Sequence, residues 1–422
     1  MHTVPETVKL FDQNAYAEDF SATVLSAERI VKTEKKGKKK QKETVTWEVV
    51  LDRTLFFPEE GGQTPDTGVL DGCPVIDVQL EGDVIRHTVL DNSGDGELFA
   101  AGQTVSGRID FARRCSNMQN HSGEHILSGL VHGRFGYDNV GFHLSDNTVT
   151  LDFNGPLTDE DILWLEQTAN RVVWDNKEIR AWYPDPEELE KTVYRSKKEI
   201  DGPLRLVEIP GVDMCACCAP HVKRTGEIGL IKIIRTLRER SGIRLTILCG
   251  SRALTYMQTL QKAAEDVSHL TNMPREEIAA GTARILEDND RLRQREAALE
   301  AAVTEALAAS VPADLRDVFL FTEGTDGSSA GIGNLAQRRL VNTLCETHPG
   351  YCGVFAGNDE TGYRYIIGAT GTGDARALNA CLKKYSGARG GGKPAMVQGS
   401  VQSTQEEIRA ALRKSLCEIS ES

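Results

Sequence analysis

The chain has 422 residues, of which 40% are hydrophobic, and its formal net charge is −13. This length accommodates two to four domains of ordinary size, and the hydrophobic content excludes a generally disordered chain. No run of about 18 apolar residues is present and no secretory signal opens the chain, so we expect a cytoplasmic protein without a membrane partner. The ten cysteines lack the spacing of a disulfide framework, which indicates reduced thiols.

Residues 1–100 contain several runs rich in β-branched and aromatic residues, separated by glycine-rich turns, and they predict a β-barrel domain. Two of these runs flank a loop with seven lysines at residues 32–42. We interpret this loop as a solvated hairpin tip in preference to an RNA contact.

Residues 101–252 mix helical and strand patterns, which predicts a two-layer α/β domain. Apolar residues at helical spacing predict a helix over residues 118–134. A second amphipathic helix follows Thr158, which is a suitable N-cap.

Residues 253–310 predict a helical hairpin that is broken near Pro274. Residues 311–422 predict a C-terminal α/β domain, in which a glycine-rich segment at residues 387–400 separates the last two helices. The predicted fold class is therefore α+β with four parts: a barrel, an α/β domain, a helical hairpin and a C-terminal α/β domain.

Two histidines, His121 and His125, lie four residues apart on the predicted helix. They are about 40° apart around the helix axis and one turn apart along it, so both imidazoles can reach one metal ion. His132 lies roughly 10 Å further along the helix and cannot share that ion. Glu124 completes an inverted H-x-x-E-H pattern, in which the glutamate of a zinc peptidase is the general base. Stacked or surface histidines remain the alternative to a metal site.

A second half-site lies downstream, where Cys217 and His221 have the spacing of a loop that clamps a metal. Together with the helical histidines they provide one thiolate and three imidazoles, a donor set that favours zinc over magnesium or calcium. Cys215 and Cys218 offer a competing C-x-x-C pattern, as redox thiols or alternative ligands. A third segment, 56-FFPEEGGQ-63, places Gly61 and Gly62 in a tight turn that can bring the backbone close to a ligand.

In this order, the segments FFPEEGGQ, 118-MQNHSGEH-125 and 217-CCAPHVKRTGEIG-229 resemble the editing domain of alanyl-tRNA synthetases and their free-standing AlaX relatives. The helical hairpin and the glycine-rich segment resemble the C-terminal domain of the same synthetases, which also occurs in DHH phosphoesterases. Only about 100 β-rich residues precede the histidine motif, so the resemblance implies a stand-alone editing protein of the long AlaX type and not an aminoacyl-tRNA ligase. The implied activity is a zinc-dependent trans-editing hydrolysis of mischarged tRNA(Ala), carrying serine or possibly glycine.

The resemblance also implies roles for individual residues. The implied zinc ligands are His121, His125, Cys217 and His221. The implied substrate-binding residues are Gly61, Gly62, Gln63 and Gln119, with Met118 and Gln119 preceding the helix. The implied tRNA-binding or dimer surface comprises Gly390, Gly391, Gly392 and Lys393, and a homodimer through the C-terminal region is expected.

Two departures from the family pattern affect the amino-acid preference. The synthetases have Cys-Gly-Gly-Thr-His where this chain has CCAPH, and a glutamine-containing polar segment where it has 140-VGFHLS-145. Four protein ligands also fill a tetrahedral zinc and leave no position for water. Glu124 is either a base that orients water or a residue of the helix surface. The alternatives to an editing hydrolase are therefore an H-x-x-E-H peptidase and a non-catalytic tRNA-binding module with a structural zinc.

Overall fold

The computed structural model describes residues 5–36, 40–92, 97–196, 203–239, 242–323 and 332–420. The chain divides into two compact units, Met1–Glu265 and Asp266–Ser422. Among the described helices, none combines the length and the apolar character needed to cross a membrane. The side chains of residues 33–43 lie outside the described part, so the interpretation of the lysine-rich tip stays a prediction.

The N-terminal part of the first unit consists of strands of varied length and one short helix. Its elements are β1 (Val8–Lys9), α1 (Leu10–Gln13), β2 (Asp19–Lys36), β3 (Lys40–Leu51), β4 (Arg53–Thr54), β5 (Gly68–Leu70), β6 (Cys73–Glu81), β7 (Val84–Leu90) and β8 (Thr104–Ile109). Six of these strands close into a barrel in the order β2-β3-β7-β6-β5-β8. Strand β8 pairs with both β2 and β5, and its residues alternate between exposed and buried as a strand with one solvated face requires. The barrel therefore extends past the boundary predicted at residue 100.

The rest of the first unit packs two long helices against an antiparallel sheet. Its elements are α2 (Phe111–Phe135), β9 (Asn139–Leu144), β10 (Val149–Phe153), α3 (Asp159–Trp174), β11 (Arg180–Trp182), α4 (Pro186–Lys191), β12 (Leu206–Ile209), β13 (Asp213–Ala216), a 3-10 turn (Thr225–Ile228), β14 (Ile231–Glu239) and β15 (Gly242–Cys249). The sheet has the order β14-β15-β10-β9, and a smaller sheet has the order β11-β12-β13. Apolar residues of α2, α3 and the larger sheet form one buried core.

Helix α2 has a defined cap at each end. The carboxylate of Asp110 accepts a hydrogen bond from the Arg113 amide, and Gly136 ends the helix in the left-handed conformation. The helix therefore begins well before residue 118, and Met118 and Gln119 lie inside it, not ahead of it as the resemblance implied. The N-cap predicted at Thr158 is confirmed, because its hydroxyl and Asp161 form a reciprocal capping box at the start of α3.

Two long helices follow, α5 (Gly250–Thr271) and α6 (Ile278–Ala309). The chain breaks between them at Asn272, which has a φ of 52°, and at Pro274, which caps a 3-10 turn over Arg275–Glu277. The predicted break near Pro274 is therefore confirmed.

The C-terminal part of the second unit is a five-stranded mixed sheet with helices. Its elements are β16 (Val318–Thr322), α7 (Asn334–Thr347), β17 (Tyr351–Asn358), β18 (Gly362–Ala369), α8 (Ala375–Ser386), β19 (Arg389–Lys393), β20 (Met396–Val401) and α9 (Gln405–Ser420). The strand order is β16-β17-β18-β20-β19, with only β16 and β17 parallel among these neighbours. One sheet face packs on α8 and α9, and the other packs on α7. The glycine-rich segment thus forms an edge hairpin, and the mixed α+β class is confirmed.

Candidate metal centre

Four side chains from two segments of the first unit that are far apart in sequence converge on one point. They are His121 and His125 of α2, and Cys217 and His221 of the loop that follows β13. Their ligand atoms all lie within 4.8 Å of one another. We refer to these four residues as the four-donor cluster.

The thiol of Cys217 is at the centre of the cluster. Its Sγ lies 3.5 Å from Nε2 of His121 and 3.4 Å from Nε2 of His221. The imidazoles of His125 and His221 meet edge to face, with ring centroids 4.7 Å apart. The three histidines are buried and Cys217 is partly buried, so a bound ion would be largely withdrawn from water.

The far nitrogen of each imidazole has its own partner. Nδ1 of His121 lies 2.9 Å from Oε1 of Gln63, and Nδ1 of His221 lies 3.0 Å from Oγ of Ser122. Nδ1 of His125 lies 2.9 Å from Oδ2 of Asp213. Such outer partners fix the ring orientation and favour the tautomer in which Nε2 is available to a metal.

Electrostatics distinguish the three neighbouring cysteines. Burial disfavours the Cys217 thiolate, but the adjacent imidazoles of His121 and His221 lower its pKa well below the usual value. Burial raises the pKa of Cys215 to about 11 and raises that of Cys218 further. Because the thiolate is the form that binds metals, Cys217 is the favoured sulfur ligand.

A second possible donor group overlaps the first. Asp213 and Cys215 lie near His125 with ligand atoms close enough to hold an ion. The separation of 2.9 Å between Asp213 and His125 is that of a hydrogen bond, however, and the Cys215 thiol is held protonated by burial. Three imidazoles with one thiolate make the better site, and this donor set suits zinc.

A tight turn of the barrel supports the cluster. Gly61 and Gly62 have φ values of 60° and 82°, which favour glycine, and they direct the buried Gln63 towards His121. The amide Nε2 of Gln63 is buried and has no hydrogen-bond partner within the described part of the chain. Three residues after Gln63, Asp66 forms a fully buried ion pair with Arg114 of α2. This pair connects the glycine turn to the helix that carries His121 and His125.

Glu124 is buried and does not lie on the helix surface, which was one of its two expected placements. Its Oε1 accepts hydrogen bonds from Oγ of Ser128 and Nδ2 of Asn139, both at 2.6 Å. Its Oε2 lies 3.8 Å from Nε2 of His125. The carboxylate therefore reaches the edge of the four-donor cluster.

Two other groups of predicted residues lie away from the cluster. The amide of Gln119 donates to the Glu227 carbonyl and accepts from the Ser251 amide, which ties α2 to the start of α5. His132 is exposed and pairs with Asp138 at 3.0 Å, as expected for a histidine outside the site. Gly390, Gly391, Gly392 and Lys393 belong to the edge strand β19 of the second unit.

Sequence reasoning missed the partners that orient the histidines, Ser122 and Asp213. One signal was present, because Asp213, Cys215 and Cys217 alternate along β13 and its extension and therefore share one face. Nothing in the local sequence indicated that this face meets α2.

Comparison with known families adds to this geometry. The family model "Threonyl and Alanyl tRNA synthetase second additional domain" matches residues 204–245, and "tRNA synthetases class II (A)" matches residues 3–113. An alanine–tRNA ligase of Ignicoccus hospitalis is 34% identical over 63% of this chain, and one of Pyrococcus furiosus is 35% identical over 65%. An alanine–tRNA ligase of Pyrococcus abyssi is 28% identical over 96% of the chain.

The chain is related to the alanine–tRNA ligases. It spans 29% of the Ignicoccus and Pyrococcus furiosus ligases and 43% of that of Pyrococcus abyssi. Among solved structures, RecJ of Thermus thermophilus with Mg²⁺ shares 13% identity over 37% of this chain and 28% of that chain. Its TM-score is 0.24, which is too low to support an argument.

The expectation that the chain is not an aminoacyl-tRNA ligase is wrong in the light of these relatives, which are themselves named alanine–tRNA ligases. That expectation depended on the short length of the β-rich segment ahead of the histidine helix. The same segment, which folds as the barrel, is the part that the class II synthetase model matches. It therefore groups the chain with the ligases and provides no argument against them.

Proposed function

We propose that the four-donor cluster binds zinc and that the chain hydrolyses the ester bond of tRNA(Ala) charged with serine or glycine. The observation that carries the proposal is the convergence of three imidazoles and one thiol in a chain related to alanine–tRNA ligases. When bound, zinc would polarise a carbonyl group or lower the pKa of a water molecule, for which it would have to accept a fifth ligand or release one of the four. The cluster residues would hold the ion, and their outer partners would keep each Nε2 directed towards it.

The glycine turn supplies a binding element for the substrate in this proposal. The buried Nε2 of Gln63 has no partner in the described chain, although buried donors are normally satisfied. A polar group of the bound aminoacyl ester would satisfy it, while Oε1 remains on His121. Gly61 and Gly62 allow the backbone to approach that group without a side chain in the way.

The edge strand of the second unit is the proposed contact for tRNA. Gly390, Gly391 and Gly392 leave a narrow backbone surface, and the exposed Lys393 adds a positive charge. A Cβ at Gly391 would meet nothing within 4 Å, so this position is open to a partner. Lysine contacts to phosphates release counterions, and tRNA binding is expected to weaken as salt rises.

The proposed reaction is tested by incubating the purified protein with seryl-, glycyl- and alanyl-tRNA(Ala) and measuring the amino acid released. We expect release of serine or glycine, and much slower release of alanine. His121→Ala removes a donor and should abolish release, whereas His132→Ala removes an exposed histidine of the same helix and should not. If the unaltered protein releases neither serine nor glycine, the proposal is wrong, and zinc without hydrolysis would favour the non-catalytic module.

Glu124→Gln separates this esterase from the peptidase alternative. The amide oxygen of glutamine can still accept from Ser128 and Asn139, so the fold should be retained. We expect Glu124→Gln to keep most of the deacylation rate, because the carboxylate is already engaged by these donors. A loss of about 10²–10⁴-fold, which is the usual contribution of a general base, would contradict this expectation. The measurement is the single-turnover rate on seryl-tRNA(Ala).

A further inference from the structure

His125 has a charged outer partner, unlike the other two histidines of the cluster. An ionised carboxylate can only accept hydrogen bonds, so Asp213 requires the proton of His125 to be on Nδ1. In the neutral His125 ring, the lone pair that a metal would take is then on Nε2. Oε1 of Gln63 also accepts from Nδ1 of His121, but it is a neutral group, and the hydroxyl of Ser122 can either donate or accept.

Asp213 is itself held by Arg195 in a two-pronged contact. Nε of Arg195 lies 2.8 Å from Oδ1, and Nη2 lies 2.9 Å from Oδ2. This fork geometry fixes the plane of the carboxylate. The backbone of Arg195 pairs with β13 on both sides, donating to the Met214 carbonyl and accepting from the Ala216 amide.

The strand that carries Asp213 can reach α2 only because the helix has a glycine there. A Cβ on Gly129 would collide with the carbonyl oxygen of Val212 and would lie 2.8 Å from Cβ of Asp213. Gly129 is one helical turn beyond His125, so β13 approaches α2 next to the turn that carries His125. The close approach of β13 is therefore built into the packing of the unit.

We propose that Arg195 and Asp213 are positioning residues that hold His125 ready for metal capture. The inference rests on the metal part of the proposed function. Asp213 acts through the His125 imidazole and is not itself a ligand. Neutralising it should therefore weaken zinc binding by roughly 10–100-fold without changing the ligand set.

The test is the zinc affinity of the full chain, measured by competition with a chromophoric chelator. Asp213→Asn should lose roughly 10–100-fold in affinity. Asp138→Asn is the matched control, because Asp138 makes the same type of contact, at 3.0 Å, with the exposed His132. Its affinity should equal that of the unaltered protein. If Asp213→Asn fails to fold by circular dichroism, Arg195→Lys replaces it, and this variant should lose part of the affinity because lysine lacks the fork.

A double-mutant cycle separates positioning from general support of the fold. In a His125→Ala background, Asp213→Asn should cost no further affinity, because the residue through which it acts is gone. A second loss of the same size would show a merely structural role and overturn the proposal. Cobalt(II) absorption adds a spectroscopic check, in which Asp213→Asn should leave the thiolate charge-transfer band and the ligand-field bands unchanged. A changed spectrum would make Asp213 a ligand.

The two proposals fail separately. An Asp213→Asn protein that binds zinc as tightly as the unaltered one overturns this inference, whatever its hydrolytic activity. An unaltered protein that binds zinc but releases no amino acid overturns the proposed reaction and leaves the role of Asp213 standing.

Discussion

His87 is buried in strand β7 of the barrel and does not belong to the four-donor cluster. Its Nδ1 lies 3.0 Å from the Val49 carbonyl, and its Nε2 lies 2.9 Å from Oγ1 of Thr54. Since a carbonyl only accepts, Nδ1 is the donor, and the Thr54 hydroxyl donates to Nε2. The ring is neutral in this arrangement, and its burial lowers its pKa to about 4, although the bond to Val49 opposes that shift.

Because of His87, the free energy of unfolding should depend on pH. Above about pH 6.5 neither the folded nor the unfolded chain protonates His87, and no free energy is lost. Between pH 6.5 and pH 4 only the unfolded chain binds the proton, so the free energy of unfolding should fall by about 3 kcal/mol. Below pH 4 the folded chain also binds it, and the loss stops.

Urea unfolding at pH 7 and at pH 4.5 measures this effect. The drop in unfolding free energy between the two should be smaller in His87→Gln than in the unaltered protein. His132→Gln, which replaces an exposed histidine, should leave the drop unchanged. Equal drops in all three proteins would refute the assignment.

The residues of the four-donor cluster were predictable because their spacing is local. Two histidines one turn apart, and a cysteine with a histidine four residues beyond it, can be identified without knowledge of the fold. Asp213 and Arg195 were not predictable, because their role depends on how β13 docks on α2. The burial of Glu124 likewise depends on Asn139, which comes from a strand after the helix.

Among the elements, the turn at Gly61–Gln63 has the clearest steric requirement. A Cβ on Gly62 would lie 2.5 Å from the backbone oxygen of Phe142, and the φ of 82° already disfavours any other residue. The neighbouring backbone cannot move freely, because the Leu144 amide donates to the Gly62 carbonyl at 2.6 Å. The turn is therefore fixed between the barrel and β9.

We expect Gly62→Ala to destabilise the protein more than the left-handed conformation alone requires. Gly72→Ala is the matched control, because Gly72 has a φ of 79° and a Cβ there would meet nothing within 4 Å. Gly72→Ala should cost about 1–2 kcal/mol. Gly62→Ala should cost clearly more and should also weaken zinc binding through the displaced Gln63. Equal losses in urea unfolding would show that the contact with Phe142 relaxes freely.

The sequence pattern predicted some helices and strands more accurately than others. Capping chemistry identified the start of α3 at Thr158, because that signal lies within a few residues. The start of α2 was placed too late, because the apolar stripe is weak in its first two turns, where Arg114 is buried by its ion pair. The edge hairpin β19–β20 was not predicted, because glycines carry no strand pattern.

For the whole molecule, the sequence predicted a mixed α+β chain, and this is what the structure contains. The barrel boundary was drawn too early, because closure needs β8 to pair with β2 across more than eighty residues. The expectation that the chain is not a ligase was also wrong. It depended on the short length of the β-rich N-terminal segment, although the class II model matches that segment.

The two halves of the four-donor cluster are made at different times. His121 and Cys217 are separated by 96 positions in the chain. At typical rates of synthesis, the histidine helix leaves the ribosome roughly 5–20 s before its thiolate partner. During that interval two imidazoles alone would hold a metal weakly and release it readily. In the proposed zinc-binding chain, firm retention would begin only when β13 docks and the loop after it brings Cys217 to the helix, so a retained ion would mark a chain in which α2 and β13 have already packed together.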